Sequence, residues 1–310
     1  MGQKSTNRPK PVERVPIPRT ESLGKITFNY LRHEVRDISF AIGRGMSDTF
    51  TILKHIFWLK TVDKGIREKA AWFELFPKKP NGRALLLCHG FANSPEMFKE
   101  VAPAFQKQGY YVRAVRLSGH GTTVGHLAQT NGSHWFSSVV WHYFETRKKY
   151  DQIDFLGHSV GGTLGLILAT IYPIRKVAVI AAPIKLNIPP ARLARHVSGF
   201  IKYWPRSRRK RKMIRESGLM IYTSSPLYAT YGVFEVGKVL WKRAEKLTLP
   251  VLYIRAEHDA RSFQDQDDVF KNHYIHTPIE LKLAENSPHP VFLGPERDLI
   301  VDWIIEWLEV

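Results

Sequence analysis

The chain has 310 residues, 44% hydrophobic and 12% aromatic, with 46 Lys+Arg against 28 Asp+Glu for a net charge of +18. That length buries a sizeable core, as one large domain with additions or as two, and the single cysteine, Cys88, excludes a disulfide within the chain and fits a reducing compartment. The longest apolar run, Leu164 to Ile174, is too short to cross a bilayer, so a membrane-spanning class is not expected.

Residues 1–20 are basic and proline-bearing without the apolar stretch of a secretory signal, and read as a disordered basic tail. Met1-Gly2-Gln3-Lys4-Ser5-Thr6 matches the N-myristoylation pattern, with Lys4, Arg8, Lys10 and Arg14 as a basic second signal. Residues 21–70 read as an N-terminal helical extension. Its amphipathic pattern over 25–62 breaks near Gly43-Arg44-Gly45, and covering a sheet edge is the preferred role.

From residue 71 strand and helix patterns alternate. Strands are expected at 71–76, 84–87, 110–117, 153–156, 176–181, 250–255 and 279–283. Helices are expected at 95–108, 135–150, from Val160 onward, 263–273 and 295–308. Strands separated by helical crossovers imply an α/β architecture with a mostly parallel, doubly wound sheet. Residues 185–246 interrupt the series and are too long for a plain loop. They read as an inserted cap, leaving 71–184 and 247–310 as the core. Charge divides the same way. Residues 1–80 hold 16 Lys+Arg against 8 Asp+Glu and residues 185–246 hold 15 against 3, whereas the remainder holds 15 against 17.

Gly157-His158-Ser159-Val160-Gly161 lies where a strand runs into a helix. A G-x-S-x-G turn there strains the serine backbone and lifts its hydroxyl above the sheet edge, so Ser159 is the candidate nucleophile. Serine needs a base, and the base needs an orienting acid. Downstream, "VLYIRAEHDARS" ends a strand with Glu257-His258-Asp259, and "LAENSPHPVF" places His289 past another. Asp259 and His289 are therefore the preferred acid and base; Glu257 is the rival acid. Asp265, Asp267 and Asp268 are read as surface charges, His258, His273 and His276 as exposed or packing, and His158 as packing beside the serine. For the oxyanion, the backbone N–H groups of Val160, after the nucleophile, and of Phe91, in the turn His89-Gly90-Phe91, are the expected donors.

Cys88-His-Gly-Phe91, Leu117-Ser-Gly-His-Gly121, Gly157-His-Ser-Val-Gly-Gly162, His258-Asp259 and His289, in this order, resemble the α/β-hydrolase superfamily over about residues 82–310, in particular its microbial carboxylesterase and monoacylglycerol lipase branch. The resemblance implies the α/β-hydrolase fold, a Ser159–His289–Asp259 triad, oxyanion amides from Phe91 and Val160, a small cap, and hydrolysis of a small-molecule acyl ester with no cofactor and no metal. A non-catalytic binding protein on the same fold, or an acyltransferase or peptidase using the same serine, are the alternatives.

The cap run Arg206-Ser-Arg-Arg-Lys-Arg-Lys212, flanked by Phe200, Tyr203 and Trp204, fits an anionic membrane surface better than nucleic acid, with a solubilising loop as the plain alternative. A cytoplasmic location with peripheral membrane contact is expected. Phe200, Leu219, Met220, Tyr222 and Phe234 are read as lining an apolar acyl pocket or as the cap's own small core.

Overall fold

Ala84-Leu-Leu-Leu-Cys88 is apolar at every position, the pattern of a strand covered on both faces. In the computed structural model, which describes residues 65–184, 201–216, 218, 221–259 and 266–310, it is β2 (Arg83–Cys88), an interior strand of a seven-stranded sheet. The strands are β1 (Phe73–Leu75), β2, β3 (Tyr111–Val115), β4 (Gln152–His158), β5 (Val177–Ile180), β8 (Val251–Ala256) and β9 (Ile279–Ala284). Their order is β1-β3-β2-β4-β5-β8-β9, parallel throughout except for the antiparallel edge strand β1. The expected doubly wound sheet is thus present. β6 (Tyr203–Pro205) and β7 (Ser224–Pro226) form a separate antiparallel ribbon. The tail and helices expected before residue 65 lie outside the described residues.

Alternation along β2 sends Ala84, Leu86 and Cys88 to one face and Leu85 and Leu87 to the other. The first face is covered by α3 (Gly132–Arg147), α4 (Val160–Ala169) and α6 (Leu227–Lys242), through Trp135, Val139, Leu164, Leu168, Val236 and Leu240. The second is covered by α1 (Ala102–Lys107) and α8 (Arg297–Glu309), through Phe105, Ile300, Ile304 and Leu308. Two short helices, α2 (Val124–Leu127) and α7 (Gln266–His273), and a basic one, α5 (Arg208–Glu216), complete the α-helices among the described residues. Thus α6, within the span read as cap, packs on core helices. No described helix is long and apolar enough to cross a membrane.

The helix expected over 95–108 is instead a 3₁₀ turn (Pro95–Phe98) and the short α1. Pro95 and Pro103 each lack an amide, and the bonds Lys99 N→Glu96 O and Val101 N→Phe98 O run three residues back, tightening the chain between them. α3 starts earlier than expected, at Gly132, because the Asn131 side chain accepts from the Ser133 and His134 amides.

At the opposite end from the elbow, Asp154 is wholly buried. Its Oδ1 accepts from Arg175 Nε at 2.9 Å and its Oδ2 from an Arg175 terminal nitrogen at 2.6 Å. Burial pushes this carboxyl above the ordinary range, and Arg175 pulls it back. Arg175→Met is therefore expected to cost about 3–5 kcal/mol, because it strands a buried acid. Urea unfolding at neutral pH measures it; a loss below about 1 kcal/mol would show that the pair is not needed.

Candidate active site

The sheet brings the C-terminal ends of β2, β4, β8 and β9 to one edge, where open α/β sheets place their ligands. Each expected site residue lies just beyond, or one turn beyond, one of these strands: Phe91 after β2, Ser159 and Val160 after β4, Asp259 after β8 and His289 after β9.

Ser159 stands between β4 and α4 with φ 53° and ψ −126°, a region that costs a side-chain-bearing residue about 1–3 kcal/mol. Two glycines allow the turn. A Cβ on Gly161 would fall 2.2 Å from the Cys88 carbonyl oxygen, and one on Gly90 would fall 2.9 Å from the Ser159 Cβ. The turn is therefore pressed between the end of β2 and the loop after it. The Ser159 carbonyl accepts from the Gly162 and Thr163 amides, opening α4.

His289 Nδ1 lies 2.5 Å from Asp259 Oδ2, and the Asp259 side chain is buried. As a hydrogen bond to a carboxylate, the contact has Nδ1–H donating, which leaves Nε2 as the lone-pair nitrogen. The rival acid, Glu257, is exposed and pairs with Arg255 at 3.4 Å. His258 and His276 are exposed, and His273 stacks on Trp241 at 3.5 Å between ring centroids. Asp268 is exposed in α7, whereas Asp265 and the Asp267 side chain lie outside the described residues. The His158 ring packs 5.0 Å from the His289 ring, and its Nε2 donates to the His289 carbonyl at 2.7 Å. Glu296 braces the same loop by accepting from the Asn286 amide and the Ser287 hydroxyl.

The Phe91 and Val160 amides meet no acceptor among the described residues. Val160 is the first residue of α4, so its N–H is one of the unpaired amides at a helix start and sits at the positive end of the dipole. The Phe91 turn is braced from behind: His89 Nδ1 donates to the Gly90 carbonyl and its Nε2 accepts from the Leu117 amide. Phe91 packs against the rings of His120 and Trp135 at 6.0 and 5.5 Å. Among the described residues no group of three or more His, Cys, Asp or Glu is arranged to hold a metal.

One residue here was not assigned this task from the sequence. Tyr222, expected to line an apolar acyl pocket or to belong to the cap's own small core, reaches from the ribbon side into the loop after β3. Its hydroxyl accepts from the Thr122 amide at 3.0 Å and donates to the Gly119 carbonyl at 3.1 Å. Its own amide donates to the carbonyl of Ala92, a residue held at φ 61° next to Phe91. The two hydroxyl partners lie 100 and 103 residues away, so no local pattern could have announced them. Tyr222→Phe leaves the buried Thr122 amide without its acceptor, and the Gly119 carbonyl with only the Thr122 hydroxyl, and is expected to cost about 1–3 kcal/mol in urea unfolding. An unchanged midpoint would mean that these groups find other partners.

A family model described as serine aminopeptidase, S33, matches residues 79–296. A carboxylesterase of Bacillus subtilis (strain 168) is 23% identical over 235 residues, 76% of this chain and 95% of its own length. Among solved structures, one from a pair of metagenome-derived lipolytic enzymes, LipS and LipT, superposes with a TM-score of 0.70 at 22% identity, covering 79% of this chain and 99% of that one. The monoacylglycerol lipase of Paleococcus ferrophilus superposes with a TM-score of 0.64 at 18% identity, covering 77% and 98%. The sheet order, the edge at which the candidate residues meet and these superpositions give the chain the α/β-hydrolase fold.

Proposed function

Since the chain belongs to the serine aminopeptidase family of hydrolases, we propose that it is an esterase of the lipase type, cleaving carboxylic acyl esters with Ser159, His289 and Asp259 as its triad. The observation that carries this reading is the 2.5 Å contact of His289 with buried Asp259, on the sheet edge where Ser159 stands in its strained turn.

In this mechanism His289 Nε2 takes the Ser159 proton as Oγ attacks the acyl carbon. The Phe91 and Val160 amides hold the oxyanion that forms. His289 then returns the proton to the departing alcohol, leaving an acyl group on Ser159. Water enters, gives its proton to His289, and its oxygen displaces Ser159, whose Oγ recovers the proton as the acid leaves. Asp259 keeps Nδ1 protonated throughout and stabilises the imidazolium. These steps use only the chain's own groups and water.

The family description names an aminopeptidase, and that activity needs a carboxylate to receive a substrate ammonium group. Residues 185–246 offer only Glu216, Glu235 and Glu245 among 15 Lys+Arg. So basic a segment repels an ammonium and tolerates a neutral acyl ester. The names of the similar proteins, a carboxylesterase and a monoacylglycerol lipase, agree with this choice.

The test compares p-nitrophenyl esters of increasing acyl length with amino-acid p-nitroanilides, alongside fluorophosphonate labelling mapped by mass spectrometry. Ester hydrolysis with the label on Ser159 is expected. Anilide hydrolysis without ester hydrolysis would replace the reading by a peptidase, and a folded protein inert to substrates and probe would remove it.

A further inference from the structure

The ribbon pairs Tyr203 with Pro226, Trp204 with Ser225 and Pro205 with Ser224, and all of β6 is exposed. Trp204 is 60% exposed, Tyr203 39% and the preceding Ile201 42%. Single exposed apolar residues are ordinary, but an indole, a phenol and an aliphatic side chain within four residues form a patch with no role in the core. The chain then enters α5, whose sequence Arg-Arg-Lys-Arg-Lys-Met-Ile-Arg-Glu carries six cations and one acid. Arg208 and Lys212 are exposed while Ile214 is buried, so the helix is fixed by its apolar side and has cations in solvent.

Aromatic and aliphatic groups beside a cationic helix match the layering of a lipid interface. Indole and phenol rings settle at headgroup depth, Ile201 reaches the acyl boundary, and Arg and Lys meet anionic headgroups. A nucleic acid would use the cations and stack on the rings, but offers nothing to Ile201.

The patch is also tied to the catalytic edge. Tyr222 lies two residues before β7, and its amide and hydroxyl bond to Ala92, Gly119 and Thr122, in the loops after β2 and β3. The Lys202 carbonyl accepts from the Leu227 amide, and the Thr223 carbonyl accepts from the Arg206 amide, closing both ends of the ribbon. Ribbon and oxyanion turn are therefore joined through one residue, Tyr222.

We propose that the β6–β7 ribbon and α5 form a docking surface for an anionic phospholipid bilayer, seated beside the Ser159 edge. Docking stands on this surface alone; that it delivers an ester to Ser159 rests on the function proposed above.

The experiment sediments full-length protein with vesicles of phosphatidylcholine, with and without phosphatidylglycerol. Binding to the anionic vesicles is expected, weakening with salt, and falling about fivefold for each cation neutralised. Arg208→Glu with Lys212→Glu is expected to lower it by more than tenfold, and Trp204→Ala separately by a few-fold, with hydrolysis of a short soluble ester unchanged in both. Retained short-ester hydrolysis, or the circular dichroism spectrum, shows that the variants are folded. The proposal is overturned by equal partition into neutral vesicles, by anionic binding insensitive to both variants, which would place the contact elsewhere, or by binding to single-stranded RNA but not vesicles. Partition and short-ester hydrolysis are separate readouts, so docking and the esterase reading fail independently.

Discussion

Ser159→Ala is expected to lower kcat toward p-nitrophenyl esters by about 10⁶ and to abolish fluorophosphonate labelling, while the protein stays folded. The geometry explains why fold and activity separate. Alanine keeps the Cβ that packs against Gly90, and the φ of 53° is no worse for alanine than for serine. What goes is the one oxygen that can carry the acyl group. The Phe91 and Val160 amides would remain in place, so a residual rate about 10³–10⁴ above uncatalysed hydrolysis is expected from the oxyanion site and binding alone. Urea unfolding and ester hydrolysis on one preparation decide the matter. Loss of structure in parallel with activity would mean that the serine is chiefly structural, and an undiminished rate would move the nucleophile elsewhere.

The parts of the fold legible in the sequence are those where local pattern and burial coincide. The apolar run Ala84–Cys88 could only be a strand covered on both faces, and the glycines around Ser159 only make sense where backbone meets backbone, as the Gly161 approach to Cys88 requires. The candidate acid and base were readable because both follow strands in a fixed order. The break at Val101 was missed because apolar spacing over 95–108 reads helical, while Pro103 spoils one turn of it. Packing of α6 on α3 and α4 was hidden for another reason: it follows the basic span directly, and only contact shows which side it joins. Tyr222 was named for its apolar ring, yet its hydroxyl decides its place. Long-range polar pairs leave no periodic trace, and Arg113 Nε donating to His142 Nδ1 across 29 residues is another.

Those buried histidines set the chain's response to acid. His89, His120 and His142 are all fully enclosed, and burial drives each below the usual imidazole range, His120 to about 3. Geometry agrees. His89 Nε2 and His142 Nδ1 both accept hydrogen bonds, from the Leu117 amide and from Arg113, so a proton on either atom would face a donor. The unfolded chain has no such restriction and protonates each imidazole near pH 6.5. Below that pH the unfolded state binds more protons than the folded one, so stability falls as pH falls and the loss grows until the folded values are reached. Three imidazoles give a slope of up to about 4 kcal/mol per pH unit. Asp154 acts in the opposite sense, because its raised carboxyl takes a proton in the folded state before the unfolded chain does. Where the two ranges overlap, the net slope drops to about 3 kcal/mol per unit. Against a total stability of about 5–15 kcal/mol, unfolding is expected about one to four units below pH 6.5. Urea unfolding between neutral pH and the acid transition measures the slope, and His142→Gln identifies one share of it. Glutamine keeps an acceptor for Arg113 but does not titrate, so the variant is expected to lose about one proton, or about 1.4 kcal/mol per pH unit, from the slope. A slope unchanged by His142→Gln would show that His142 has no share in the acid transition.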